Sequence, residues 1–178
     1  MPTVKPNKSE QIIGEIFKDQ ELVYGLKEFD GIDIYDVLYI SEQEPHRFYI
    51  KDLKTGNQRF VYDEQKKTGK PEEIIRQLWL YKLNKHYKYP YERIDTEKSI
   101  HFGSKEYARA DIVVYKKDKI TPYIIVEVKI QTEKKGVDQL KSYLSAEGSE
   151  IGVWSNGNER VILYRPYPKE FERDSLSD

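Results

Sequence analysis

The sequence predicts an α/β fold, a central mixed β-sheet flanked by helices, preceded by a β-rich N-terminal extension. Three observations predict it. Two apolar β-branched runs, Ile112-Val113-Val114 and Ile124-Ile125-Val126, read as adjacent strands separated by a turn over 116–121. Apolar residues at helical spacing precede them (Ile74, Ile75, Leu78, Trp79, Leu83) and follow them (Val137, Leu140, Leu144). Two further strand-like runs, 151–154 and 160–164, flank the turn dipeptide Asn156-Gly157.

The elements follow in order. Ser9 is placed to cap a short helix carrying Ile12, Ile13, Ile16 and Phe17, although Gly14 weakens it. Residues 32–40 alternate loosely and suggest a strand. The runs 47–52 and 58–62 flank Lys54-Thr55-Gly56-Asn57, a hairpin signal. The polar stretch 63–70 reads as a linker, so residues 1–70 form the extension and 71–168 the main domain. Pro71 suits a first helical position, and Glu72 and Glu73 follow where acids complement the helix dipole, giving a helix over 72–85. Pro90 ends the connection, and Ile94, Lys98, Ile100 and Phe102 suggest a strand. Gly136 opens the second main helix and Gly148 stops it. There are no internal repeats, and the polar tail 169–178 is expected to fray.

Composition narrows the function class. The 178 residues carry a formal charge of -1, with 34% charged residues and a mean hydropathy of -0.80. A near-neutral total does not exclude DNA, because the placement of Lys and Arg decides that. The chain has no cysteine, which excludes disulfides and thiolate zinc sites and fits a reducing cytoplasm. No apolar run is long enough to span a bilayer, and the first residues lead into no signal-peptide core. His46, His86 and His101 lack metal-site spacing. The fifteen tyrosines suit sheet-edge packing, with base stacking as the alternative use.

Chemistry concentrates on the paired strands. Asp111 opens one run, and Glu127-Val128-Lys129 closes the other. Side chains alternate across a strand, so Glu127 and Lys129 share a face. An Asp111 carboxylate projecting to the same face completes two acids beside an ammonium, a set that can hold a hard divalent cation and steady a phosphate. Glu-x-Lys alone carries little weight, since Asp52-Leu53-Lys54, Glu64-Gln65-Lys66 and Glu133-Lys134-Lys135 repeat the charge pattern. The copy at Glu127 differs because it ends a run expected to be buried, where unpaired charge is expensive. The plainer reading is a strand-end ion pair with Asp111 capping a turn. Gln139 and Tyr143 share a face of the second helix, offset from its core stripe, while Glu73 and Arg76, three apart on the first, read as a surface pair.

Taken together, Glu73-Ile74-Ile75-Arg76-Gln77, Asp111, Glu127-Val128-Lys129, Gln139-x-x-x-Tyr143 and Asn156-Gly157 resemble the N-terminal nuclease domain of type I restriction enzyme R subunits, within the PD-(D/E)xK nuclease superfamily. The likeness covers about 71–164, and one departure is Ala110, where the superfamily name has a proline. It implies a restriction-endonuclease-like fold and an Mg²⁺-dependent (Mn²⁺ as substitute) DNA endonuclease. Asp111, Glu127 and the Val128 carbonyl would hold the metal, Lys129 and Glu73 would complete the catalytic set, and Gln139, Tyr143, Arg76 and Arg109 would contact DNA or support the site. Lys98, His101, Lys105, Lys116, Lys117, Lys134, Lys135 and Lys141 are further candidates for phosphate contact. Other restriction-modification subunits or a separate translocase are the implied partners. The chain itself has no ATP site, because Thr68-Gly69-Lys70 lacks the upstream glycine and the following hydroxyl of a phosphate loop. Two alternatives stand beside this reading: a catalytically inactive nuclease-like module that docks DNA or a partner subunit, and a nuclease of another branch acting on junctions, ends or RNA.

Overall fold

The computed structural model describes residues 8–18, 26–130, 133–165 and 172–174. The chain divides into two compact units, Met1–Lys82 and Leu83–Asp178.

In the first unit, α1 (Lys8–Lys18) buries Ile12, Ile13, Ile16 and Phe17, the i, i+3, i+4 stripe that makes it helical. Ser9 lies within this helix rather than before it. Its hydroxyl accepts the Ile40 amide at 3.3 Å, so it ties the helix to the sheet instead of capping. The expected strand over 32–40 is instead a short helix, α2 (Ile34–Val37), because the Asp33 carboxylate accepts the Asp36 amide and nucleates a turn. The sheet is four-stranded, β1 (Ile40–Glu44), β2 (Arg47–Lys51), β3 (Gln58–Asp63) and β4 (Thr68–Gly69), in that spatial order. The β2–β3 hairpin is the one the sequence announces. The stretch 63–70 is no linker: β4 pairs back on β3, with Asp63 opposite Thr68. Asp63 makes this possible by accepting the Lys66 amide at 2.9 Å, which closes the turn.

Helix α3 (Pro71–Tyr81) begins at Pro71 as expected and ends four residues short of residue 85, passing into a π turn, Lys82–His86. Its buried set includes Ile74, Ile75, Leu78 and Trp79, and also Glu73 and Gln77.

The second unit is a six-stranded sheet in the order β10-β9-β8-β7-β6-β5. Its strands are β5 (Ile94–Phe102), β6 (Lys105–Tyr115), β7 (Pro122–Val128), β8 (Ile151–Ser155), β9 (Arg160–Tyr164) and β10 (Glu172–Asp174). The sheet is mixed: β7 and β8 run parallel, joined through α4 (Glu133–Glu147), and the other neighbours are antiparallel. Part of the polar tail does not fray, since β10 pairs along the outer edge of β9, where unpaired amides and carbonyls invite a strand.

Helix α4 packs on β7 and β8 through Val137, Leu140 and Leu144 against Val113, Ile125 and Trp154. Gly136 lies inside the helix rather than opening it. A Cβ there would overlap the Trp154 indole nitrogen, so the first turns can seat on the ring only with glycine. The helix stops before Gly148, whose φ of +68° is the left-handed conformation that ends helices.

Candidate active site

Antiparallel register brings the paired strands' charges together. The β6–β7 ladder is regular from Val114↔Ile124 to Ile112↔Val126. One step further the side chain of Asp111 takes over from the ladder, its Oδ2 accepting the Val128 amide at 2.8 Å. On the other side, β7 pairs with β8 through Glu127↔Trp154 and Val128↔Ser155, and the Lys129 amide donates to the Ser155 carbonyl at 3.0 Å. Glu127 is therefore fixed between two strands, fully buried, with Asp111 at 7% exposure. The chain leaves the sheet at Lys129, whose ammonium turns back to 3.2 Å from Glu127 Oε1 while its side chain remains 34% exposed.

The electrostatics of this trio are unusual. Both Glu127 oxygens are buried without a partner in full hydrogen-bond geometry among the described residues; the Lys129 ammonium and the Asp111 amide beside them give only partial compensation. Burial, with repulsion from Asp111, pushes the Glu127 carboxyl up to about 8, while Lys129 offsets part of that. A buried carboxylate with unsatisfied oxygens is a costly arrangement for a structural residue. A divalent cation would relieve it by supplying positive charge to both acids at once. Among the described residues, no three His, Cys, Asp or Glu side chains gather as a metal cage. The donors that fit are thus two carboxylates plus main-chain oxygen and water, a set that suits Mg²⁺.

Helix α4 brings Gln139 and Tyr143 together: the Gln139 amide donates to the Tyr143 hydroxyl. Tyr143 is not on an offset face but fully buried in the apolar cluster under the sheet. Gln139 is partly exposed and, with Ala108, Asp138 and Ser142, lines a groove of about 580 Å³ between α4 and β6. Arg109 is exposed on β6 opposite Ser99.

Glu73 and Arg76 lie in the first unit and form a different assembly from the surface pair the spacing suggests. Glu73 Oε2 accepts Arg76 at 2.9 Å, and its Oε1 meets Arg59 at 3.0 Å and the Gln77 amide at 2.9 Å. Gln77 is fully buried and also donates to Asp52 Oδ2 at 3.1 Å, while its own oxygen accepts the Leu53 amide at 2.9 Å. The sequence assigns no role to Asp52 or Arg59, and Gln77 enters it only as part of the run 73–77. The i, i+4 spacing of Glu73 and Gln77 was the signal for part of it, but Asp52 and Arg59 come from a distant hairpin.

Residues 71–173 match the family model described as Type I restriction enzyme R protein N terminus. The chain belongs to that family. Comparison with curated proteins and with solved structures gave no match. The R-protein N-terminal domain here spans α3 and the whole six-stranded sheet, and residues before Pro71 fall outside the match. Membership gives the chain a role in a type I restriction enzyme. Among the described residues, no helix is long and apolar enough to cross a membrane.

Proposed function

We propose that this R-protein domain is the Mg²⁺-dependent endonuclease of its restriction enzyme, a PD-(D/E)xK nuclease on a restriction-endonuclease-like sheet that hydrolyses DNA phosphodiester bonds in the cytoplasm. The observation that carries the reading is Glu127: a fully buried carboxylate whose oxygens lack a partner in full hydrogen-bond geometry among the described residues, beside Asp111 and within an ion pair of Lys129. Asp111, Glu127 and the Val128 carbonyl are the ligands for Mg²⁺. When bound, the ion polarises the scissile phosphate and lowers the pKa of a water.

The chain's own groups do the rest. Asp111 is aimed by its hydrogen bond from the Val128 amide, so its carboxylate is held without loop motion. Lys129, a third exposed, reaches both the buried acid and solvent, where it orients a water or offsets charge growing on the phosphate. Gln139 and Tyr143, coupled through their hydrogen bond, support that edge of the site, and Arg109 offers a phosphate contact. Glu73 and Arg76 belong to the first unit, where Glu73 is held by Arg59 and Arg76. DNA and the other restriction-modification subunits, or a separate translocase, are the partners.

The test is nicking of supercoiled plasmid by the full chain at excess protein with Mg²⁺ or Mn²⁺. Wild type should nick, and Asp111→Ala and Lys129→Ala should each fall by at least about 100-fold. Equal nicking by all three proteins would refute the assignment.

A further inference from the structure

The stretch that links α3 to β5 carries a feature the cut site does not use. Residues 82–91, beyond the end of α3, contain no Asp or Glu, yet carry Lys82, Lys85 and Lys88. In a chain with 31 acids among 178 residues, a run this long would ordinarily hold about two of them. The charge is segregated here.

Within the second unit, the segment is built to present its tip. The Tyr89 amide donates to the Leu83 carbonyl at 2.9 Å, and the Asn84 side chain donates to the Tyr89 carbonyl at 2.9 Å. These bonds pin both ends of a six-residue turn. Inside it, Lys88 sits at φ +63°, a left-handed conformation that a residue other than glycine holds only at an energetic cost. The result pushes Lys85, His86, Tyr87 and Lys88 out of the fold, all exposed. Tyr87 is 50% exposed and is braced edge-on by the His86 ring at 4.9 Å between centroids. Among the described residues, Lys85 and Lys88 have no ion-pair or hydrogen-bond partner. By contrast Arg93, at the base, is committed to the Tyr115 carbonyl at 2.8 Å and to the Tyr89 ring.

We infer that this turn is a second DNA contact, separate from the cut site, that grips a single-stranded segment. Lys85 and Lys88 meet successive phosphates, and Tyr87 between them stacks on an unpaired base. Two unpaired cations flanking a braced, half-exposed aromatic ring match the alternation of charge and π-face along a single strand, which a duplex conceals. The base of the turn, where Arg93 bonds the Tyr115 carbonyl, lies four residues along β6 from Asp111, about 13 Å away. The inference rests on the proposed function only in taking DNA as the substrate.

The experiment measures binding of a fluorescein-labelled 30-mer by anisotropy, single-stranded and as a duplex, with EDTA present so that the metal site plays no part. The full-length chain is compared with Lys85→Ala/Lys88→Ala and Tyr87→Ala, each checked by its thermal melt. Wild type should prefer the single strand. The double lysine variant should lower the slope of log affinity against log salt by about 1.4, since each phosphate contact on a single strand contributes about 0.7. Tyr87→Ala should bind the single strand about tenfold more weakly with an unchanged slope, and Tyr87→Trp should restore it. A Tyr87→Ala protein that binds as tightly as wild type, or a wild type that prefers duplex, would overturn the proposal. Loss of metal binding in Asp111→Ala would leave it untouched, so the two claims fail separately.

Discussion

Glu127 pits stability against function. Its carboxyl titrates near 8 in the folded chain against about 4.5 unfolded, so the folded state holds the proton more tightly. The stabilisation this gives is complete below pH 4.5 and is lost as pH rises through about 8, when the buried acid must ionise. In metal-free buffer, Glu127→Gln removes that penalty. The variant should therefore exceed wild type in stability by on the order of 2 kcal/mol at pH 8, with the gap closing towards pH 5, as read from urea unfolding. Wild type that stays the more stable at every pH would show the carboxylate to be satisfied as built. Part of this is legible in the sequence: a charge opening one apolar run marks Asp111, and charges closing the next mark Glu127 and Lys129. The Asp111 bond to the Val128 amide was not, because it arises where the ladder stops, and ladder length depends on both strands.

At the scale of elements, the close seat of α4 on Trp154 depends on one missing methyl. Gly136→Ala would ordinarily favour a helix by up to about 1 kcal/mol. Here its Cβ would overlap the buried indole, so the substitution should destabilise the chain by about 2 kcal/mol in urea unfolding. A stabilised Gly136→Ala protein would mean the helix is free to lift off. In the first unit, Gln77 ties the hairpin turn at Asp52 and Leu53 to α3. Gln77→Leu takes one hydrogen bond each from Asp52, Glu73 and the Leu53 amide while their arginine and amide partners remain, and should lower stability by about 2 kcal/mol, measured the same way. Strands with alternating or apolar runs were readable from sequence. The short helix at 34–37 and the strand at 68–69 were not, because each is nucleated by one aspartate side chain binding a nearby amide, a local bond that outweighs weak periodicity.

For the molecule as a whole, strand patterning and spacing in the second unit announce the mixed sheet and the charged trio, while the family is legible as a resemblance that also draws on Glu73 to Gln77 of the first unit. The network around Glu73 could not, since its partners Asp52 and Arg59 lie on a hairpin distant in sequence. The tip at Lys85–Lys88 is only half legible, because its charge segregation is visible in the sequence but its exposure is not. At this scale the buried acid pair matters most, as the proposed holder of a divalent ion. Calorimetric titration of Mn²⁺ and Mg²⁺ into wild type and Asp111→Ala addresses it most directly. Wild type should bind saturably, more tightly as pH rises towards 8 while Glu127 loses its proton, and Asp111→Ala should not bind. Absence of binding by wild type, with DNA present as well as absent, would contradict it and leave the fold as a non-catalytic docking module.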